Sequence, residues 1–276
     1  MSKLSVKLRK NTGIWVGGTV LALLLLVAVL AGVIAPFDPY EADLVNILSR
    51  PSSTHLAGTD GFGRDIFSRV LFGLRLSLEA AFLVTVATGV CGILIGCLAA
   101  YYSKFDNLIM RVMDGMMAFP DIVLALALVA VFRPSLKGVV VALLISYTPR
   151  VARIVRGSAL QVKTCDFVTA AIAIGARDSR IITRHILPNV AAEIIVQLTY
   201  IFAYAILGEA VLSFLGAGPP PPIPSLGNIL SATRDFIFTD WWLSIFPGVV
   251  IMLAVLSVNL LGDGLRDVLD PKLSER

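Results

Sequence analysis

The stretch GIWVGGTVLALLLLVAVLAGVIA at residues 13–35 decides the fold class, because it carries no charge over more than the roughly 20 residues that cross a bilayer. A second uncharged stretch runs from Trp241 to Gly262. The chain of 276 residues is 57% hydrophobic and 15% charged, and its mean hydropathy is +0.86. Soluble domains carry roughly 25% charged residues. These values argue against a soluble enzyme and predict an all-α polytopic membrane protein.

The first apolar stretch is predicted to stay in the mature protein. Ala35-Pro36-Phe37-Asp38 follows it and contains no small-residue cleavage pattern, so a retained span is favoured over a removed signal peptide.

Six membrane spans are predicted. Three are uncharged, at residues 14–34, 80–103 and 241–262. Three further stretches are apolar but contain charges. Two of these are expected to form a hairpin, because Arg133-Pro134-Ser135 interrupts the apolar sequence between them. The three charged stretches are residues 110–132, 138–155 and 190–214.

The basic residues predict the orientation of the spans. Lys and Arg accumulate in cytoplasmic segments close to membrane spans. They cluster in residues 3–10 and 150–184, so both clusters and both termini are placed in the cytoplasm. The chain is then divided into a first span with its flanking segment and outer loop, a core of five spans with a cytoplasmic loop, and a tail. The proposed boundaries are 1–76, 77–265 and 266–276.

Two outer loops are long enough to have a role of their own, at residues 36–76 and 216–240. The run Pro219 to Pro222 cannot lie in a regular helix, so a stiff extended element is expected there. It either caps a cavity or simply connects two spans. The segment Gly58 to Arg69 either forms a structural turn held by local ion pairs or contacts another protein. Its charged residues are Asp60, Arg64, Asp65 and Arg69.

Carboxylates at membrane depth are costly and often mark a transport pathway. Asp114 lies one turn from Arg111, and a structural ion pair between them is expected. Asp121 follows a proline and is placed near a helix start. Glu209 lies deepest in apolar sequence. Glu209 and Asp121 are therefore the candidates for a residue of the pathway or of a subunit interface.

No catalytic or metal site is predicted. Cys91, Cys97 and Cys165 are too few for a disulfide framework and are interpreted as packing residues. His55 and His185 are the only histidines and cannot build a metal site by themselves.

The most informative polar stretch runs from Asp166 to Asp178 and continues from Ile181 to Asn189. It predicts a short amphipathic helix, a turn or close backbone approach at Gly175, and a basic stretch that ends at Pro188. Such a bent helix suits docking into a groove on another protein. The alternative is an interfacial helix that lies on acidic lipid.

The spacing in this stretch resembles a known loop. Thr169-Ala170-Ala171, three residues, Gly175, nine residues and then His185-Ile186-Leu187-Pro188 are similar to the EAA loop, E-A-A-x3-G-x9-I-x-L-P. That loop belongs to inner-membrane permeases of binding-protein-dependent ABC importers. Thr169 stands at the Glu position and His185 at the first Ile position. The resemblance implies a role in coupling to an ATPase for Asp166, Thr169, Ala170, Ala171, Gly175, Ala176, Leu187 and Pro188.

Four further segments, in family order, resemble the second (C-type) permease of the peptide-importing branch. They lie at residues 56–69, 110–120, 212–216 and 259–271. The resemblance covers nearly the whole chain and implies the type I ABC importer permease fold with six transmembrane helices. It also implies dipeptide or oligopeptide cargo, with glutathione or nickel as the alternatives within the family.

The resemblance also implies the partners. The sequence has no GxxxxGK[ST] phosphate cradle, so ATP and Mg are expected on partner subunits, with no cofactor in this chain. The partners would be a homologous six-span permease, two cytoplasmic ATPases and an extracytoplasmic solute-binding protein, at the bacterial inner membrane. An ion-driven secondary transporter is the rival, but the sequence shows neither inverted repeats nor broken helices. A membrane-bound enzyme would need clustered catalytic groups, which are also lacking.

Overall fold

The computed structural model describes residues 11–269. The four N-terminal basic residues and the end of the predicted C-terminal tail lie outside this range. Within it the chain is helical with a single isolated bridge, between Thr59 and Asp65. The predicted all-α class is therefore confirmed for the described residues.

Eleven α-helices make up the described chain. They are α1 (Thr12–Val29), α2 (Ala31–Ile34), α3 (Ile66–Tyr101), α4 (Ser103–Met117), α5 (Asp121–Phe132), α6 (Leu136–Lys163), α7 (Asp166–Ala173), α8 (Asp178–Ile181), α9 (Leu187–Phe214), α10 (Leu226–Thr233) and α11 (Trp242–Leu269). A π-helical turn covers Ile182–Ile186 and a 3-10 turn covers Arg234–Phe236.

Five helical runs in residues 11–269 are long and apolar enough to cross a membrane. They are α1, α3, α6, the continuous run Asp178–Phe214, and α11. Helices α4 and α5 are together long and apolar enough for a sixth crossing, but they are bent by 93° at the break between them, so they form either a broken span or a re-entrant loop. The span predicted over residues 110–132 coincides with this pair, and the structure adds a bend between Met117 and Asp121 that hydropathy did not predict. Pro120 explains the break, since it lacks an N–H and restricts the residue before it, Phe119.

Helix α3 begins earlier than the predicted span at residue 80. Asp65 caps its N-terminus, because the Asp65 Oδ2 accepts the backbone N–H of Ser68 at 2.8 Å. The outer loop predicted over 36–76 therefore ends at residue 65, and the proposed boundary between 76 and 77 falls inside α3. The last helix likewise continues past residue 266 to Leu269.

Glycines set the contact between α3 and α6, the two central helices. A Cβ on Gly92 would lie 2.5 Å from Val151 Cγ1, and one on Gly96 would lie 2.6 Å from the carbonyl oxygen of Ala152. Small residues of this kind let membrane helices approach closely. The contacts also fix the register, since Gly92 lies level with Val151 and Gly96 with Val155.

Residues 36–65 and 216–240, the two predicted outer loops, form a compact region at one end of the helices, which we call the outer cap. It contains α10, a helix that the sequence analysis did not predict. The proline run before α10 is non-helical, as predicted. Asn228 ties it to α10 by donating to the carbonyl oxygen of Pro219 at 2.7 Å. An apolar cluster beneath the cap includes Ile66, Leu226, Ile229 and Leu243.

Charged groups in the outer cap are buried in pairs. Asp60 is only 3% exposed. Its Oδ2 lies 2.7 Å from Arg64 Nη2 and 3.7 Å from Arg69 Nε. Arg69 also donates to the carbonyl oxygen of Pro39 at 2.8 Å. Asp65 pairs with His55 at 3.0 Å. These contacts support the structural-turn interpretation of this segment, because the four charged residues predicted to be important there find partners inside their own chain.

Candidate functional site

The candidate site is the coupling segment, which we define as residues 163–188. It joins α6 to α9 through α7, a glycine turn, α8 and the π-helical turn. Only Thr164 and Cys165 separate the end of α6 from the start of α7. Any displacement of α7 is therefore passed directly to a long membrane helix.

The turn at Gly175 closes helix α7. Gly175 has a φ of +77°, a region that glycine adopts without strain. Its N–H donates to the carbonyl of Ile172 at 2.9 Å, and the next N–H, of Ala176, donates to Ala171 at 3.0 Å. These two bonds form a Schellman motif. The predicted tight turn at Gly175 is confirmed, and it projects outward, because a Cβ there would meet no heavy atom within 4 Å.

The inner face of the segment is fixed to the membrane helices by apolar packing. Its buried side chains contact the ends of α3 and α6, where Ala100 and Ala159 leave room for them. The segment is therefore packed firmly against the ends of these two membrane helices. The buried side chains that form this contact are Val168, Ala171, Ile181 and Ile186.

Polar bonds that the sequence analysis missed add to this anchoring. The hydroxyls of Tyr101 and Tyr102 donate to the two carboxylate oxygens of Asp178, at 2.7 and 3.1 Å. The bond to Asp178 raises the pKa of the Tyr102 phenol. Lys163 donates to the carbonyls of Ala100 and Tyr101 at 3.1 and 2.8 Å. The only sequence signal was the tyrosine pair at the end of an apolar stretch.

The outer face of the segment exposes apolar side chains. Ile174, at the tip, is 85% exposed, and Phe167 and Ile172 are 45% and 46% exposed. Exposed basic residues follow, at Arg177, Arg180 and Arg184. An apolar tip beside basic residues is the kind of surface that marks a site for protein or membrane contact.

The residues predicted to couple to an ATPase fall on both faces. Ala171 is buried, and Ala176 and Leu187 are half-buried. Thr169 occupies the position that is Glu in the motif, and its hydroxyl donates to the carbonyl of Asp166 at 2.9 Å. Pro188 lies in the first turn of α9, as predicted. The exposed members of the predicted set are Asp166, Thr169, Ala170, Gly175 and Pro188.

The π-helical turn before Pro188 has a physical cause. A proline ring clashes with the carbonyl four residues earlier in an α-helix, and proline donates no hydrogen bond. The wider π turn makes room for the proline ring and does not need its missing N–H, so the run from Asp178 to Phe214 continues without a break.

Three aspartate–arginine pairs join the bent helices α4 and α5 to α6, and we call them the ion-pair ladder. Asp121 begins α5, as expected, and pairs with Arg150 at 2.9 Å. The predicted pair of Asp114 with Arg111 is wrong, because α6 packs beside α4 and brings Arg153 to Asp114 instead. The ladder consists of Asp106–Arg156, Asp114–Arg153 and Asp121–Arg150.

The sequence predicts Glu209 in the pathway or at a subunit interface, whereas in this chain it is enclosed between helices of its own subunit. It is 0% exposed. Its carboxylate accepts hydrogen bonds from Ser77 of α3 at 2.5 Å and from Ser213 at 2.6 Å. Two small hydroxyl residues thus enclose it between helices of its own chain, which hydropathy alone does not reveal.

Comparison with known families matches most of this chain. Residues 92–275 match the family described as "Binding-protein-dependent transport system inner membrane component". Residues 6–51 match the "N-terminal TM domain of oligopeptide transport permease C". The coupling segment and the ladder both lie inside the first of these matches.

Individual relatives are similar over nearly their whole length. A protein of Brucella suis biovar 1 (strain 1330) is 51% identical over 254 residues, covering 91% of this chain and 86% of its own. The dipeptide transport system permease protein DppC of Alkalihalophilus pseudofirmus is 43% identical, covering 97% and 88%. The glutathione transport system permease protein GsiD of Pectobacterium atrosepticum is 42% identical, covering 96% and 89%.

The fold is similar to that of a solved transporter. A chain of the MetNI methionine ABC transporter, in an inward-facing conformation, superposes with a TM-score of 0.61 at 19% identity. The match covers 74% of this chain and 97% of that chain. The predicted permease fold is thereby confirmed. The chain belongs to the family of inner membrane components of binding-protein-dependent transport systems.

Proposed function

We propose that this chain forms half of the pathway through which an ATP-driven importer moves peptides across the inner membrane by alternating access. Membership of the family makes it a transport component rather than an enzyme, with ATP hydrolysis on a separate subunit. The names of two relatives, a dipeptide permease and a glutathione permease, support peptide cargo. Glutathione, itself a small peptide, is the second candidate cargo.

The proposed complex contains a homologous six-span permease, two cytoplasmic ATPases that bind ATP and Mg, and an extracytoplasmic solute-binding protein. Both termini of this chain would lie in the cytoplasm. A binding-protein-dependent system works with an ATPase and a solute-binding protein in general. The heterodimer, the stoichiometry and the orientation are our proposal. The cluster of basic residues in the coupling segment supports the orientation.

The observation that carries this proposal is the exposed tip of the coupling segment, whose inner face is packed against the membrane helices. Ile174, which follows the last residue of α7, is exposed, while Val168 and Ala171 hold α7 against α3 and α6. A partner that binds the tip better in one ATPase state than in the other shifts the transporter between its states. The two-residue link then passes the movement to α6.

Replacing Ile174 with Asp tests this docking role. The side chain is 85% exposed in its own chain, so the variant should fold and insert normally. We expect ATP-dependent dipeptide uptake by the complete transporter in proteoliposomes to fall to background, because a desolvated carboxylate disfavours the docked state. Phe238→Asp is the matched control, since Phe238 is 96% exposed in the outer cap.

Two results would contradict the proposal. One is wild-type uptake by Ile174→Asp together with unchanged cross-linking between the coupling segment and the ATPase. The other is uptake by this chain without any ATPase, driven by an imposed proton or sodium gradient, which would establish the secondary-transport alternative.

A further inference from the structure

The ion-pair ladder places six charged side chains, all partly exposed, between α6 and the bent helices α4 and α5. The Arg153 and Asp114 side chains are 49% and 58% exposed, and those of Arg150 and Asp121 are 34% and 33% exposed. The third pair, Arg156 with Asp106, is 28% and 20% exposed. The three arginines are spaced three residues apart, so they lie along one face of α6.

The register between α3 and α6 gives the depth of the ladder. Gly92 packs on Val151 and Gly96 on Val155, so Leu94 lies level with Arg153 and Leu98 with residue 157. Leu94 is 58% exposed and Leu98 is 45% exposed. At the same level along the helices, the bundle therefore exposes leucines on α3 and paired charges between α6 and the bent helices α4 and α5.

These two surfaces require different surroundings. Exposed leucines are stable against lipid, whereas charged side chains at membrane depth are costly there and face water or other protein. A dry protein interface is also unfavourable for half-exposed ion pairs, because burying them adds a desolvation penalty. The surroundings that fit the ladder are aqueous.

We propose that the ion-pair ladder lines the water-filled inner part of the translocation pathway. The inference rests on the proposed function, and it assigns the pathway to one surface of the chain. Along that surface, a peptide with an ammonium and a carboxylate end meets partners of both signs. Arg150 extends the surface to α9, since its guanidinium lies 5.0 Å from the ring centre of Tyr204.

Gly157 allows this surface to be probed without removing a charge. It lies four residues after Arg153, on the same face of α6, and a Cβ there would meet no heavy atom within 4 Å. The test variant is Gly157→Cys in a background where Cys91, Cys97 and Cys165 are replaced by Ala. Leu98→Cys in the same background is the control, because Leu98 has the same depth on the apolar surface.

Labelling by a charged, membrane-impermeant methanethiosulfonate would be measured on the complete transporter in lipid nanodiscs, without ATP or cargo. We expect Gly157→Cys to react at least about ten times faster than Leu98→Cys, since the thiolate and the reagent both require water. A Gly157→Cys rate as slow as that of Leu98→Cys would overturn the proposal. Equally fast reaction at both positions would also overturn it, because that depth would then lie outside the lipid.

This measurement is independent of peptide transport. A transporter that reacts as expected but takes up no peptide would support the aqueous surface and count against the cargo. A transporter that takes up peptide but in which Gly157→Cys reacts slowly would support the peptide cargo and count against the aqueous surface.

Discussion

Two glycine turns in this chain have the same local structure, but the chain that follows them is buried in one case and exposed in the other. Gly175 and Gly216 have φ values of +77° and +81°, and neither Cβ would meet a heavy atom within 4 Å. At Gly216 the N–H donates to Ser213 at 3.0 Å and the next N–H donates to Leu212 at 2.8 Å, which repeats the Schellman motif of Gly175. Both turns end a helix that is otherwise apolar.

The chain behaves differently after the two turns. After Gly216 it returns into its own core, where Ala217, Gly218 and Pro219 are buried. After Gly175 it stays at the surface, with Arg177 and Asp178 exposed. The same motif therefore leads into residues that pack within the outer cap at Gly216, and into exposed residues that a partner can contact at Gly175. This difference predicts that changes in the cap alter stability, whereas changes in the coupling segment alter transport.

The largest effect on stability is expected for Asp60→Ala in the outer cap. The change leaves Arg64 and Arg69 buried without their carboxylate, which typically costs about 3–5 kcal/mol. The thermal midpoint of the purified transporter in detergent should fall strongly. Asp235→Ala is the control, because its pair with Arg234 is exposed and should contribute at most about 1 kcal/mol. An equal fall of the thermal midpoint in the two variants would refute the claim that buried ion pairs stabilise the outer cap.

The largest effect on transport from a backbone change is expected for Gly175→Pro. Proline requires a φ near −65° and lacks the N–H that Gly175 donates to Ile172. The chain should still insert into the membrane, but ATP-dependent uptake should be lost. Uptake in proteoliposomes and assembly by affinity co-purification would be measured together. Normal transport by this variant would contradict the role of the turn.

A matched pair of smaller changes compares the two turns directly. Gly175→Ala and Gly216→Ala introduce the same left-handed strain, about 1–2 kcal/mol each, with no steric clash. We expect similar small losses of stability in both variants. Uptake per assembled transporter should fall only in Gly175→Ala. A similar loss of uptake in Gly216→Ala would show that the two turns have equivalent roles.

The smallest effect is expected for Tyr102→Phe, which removes one of the two bonds that hold Asp178. Hydrogen exchange of residues 178–186 should increase several-fold while uptake remains close to wild type. The Tyr102 bond raises the folded-state pKa of the phenol, so its contribution is present below the ordinary tyrosine value, about 10, and is lost as the pH rises beyond it. Exchange that is unchanged in the variant would exclude Tyr102 as an anchor.

The sequence predicted the parts of the fold that depend on local composition. Uncharged stretches located the spans, and the glycine at position 175 predicted a tight turn or a close backbone approach, of which the structure has the turn. The family resemblance, which rested on residues 169–188 and four other segments, is confirmed by the match over residues 92–275. Each of these features depends on a short, continuous stretch of sequence, so it can be predicted without knowing any tertiary contact.

The features that were missed depend on distant contacts. Asp114 pairs with a residue 39 positions away, and nearby Arg111 looked like the simpler partner. Glu209 is a pathway candidate by sequence because it lies deepest in an apolar stretch, and its partner Ser77 on α3, 132 positions away, is found only in the fold. The start of α3 differs from the predicted one because Asp65, which lies in a charged stretch of sequence, caps the helix. In each case the fold supplied a partner that hydropathy could not identify.

The break at Pro120 has a consequence for how the protein is made. Helix α5 has 12 residues, about 18 Å at 1.5 Å per residue, whereas a bilayer core is about 30 Å thick. Helix α5 alone is therefore too short to cross, and it reaches across the bilayer only together with part of α4. Only Arg133, Pro134 and Ser135 separate it from α6. We therefore expect the ribosome to deliver α5 and α6 to the membrane as one hairpin, so that biogenesis of the third crossing waits for the fourth.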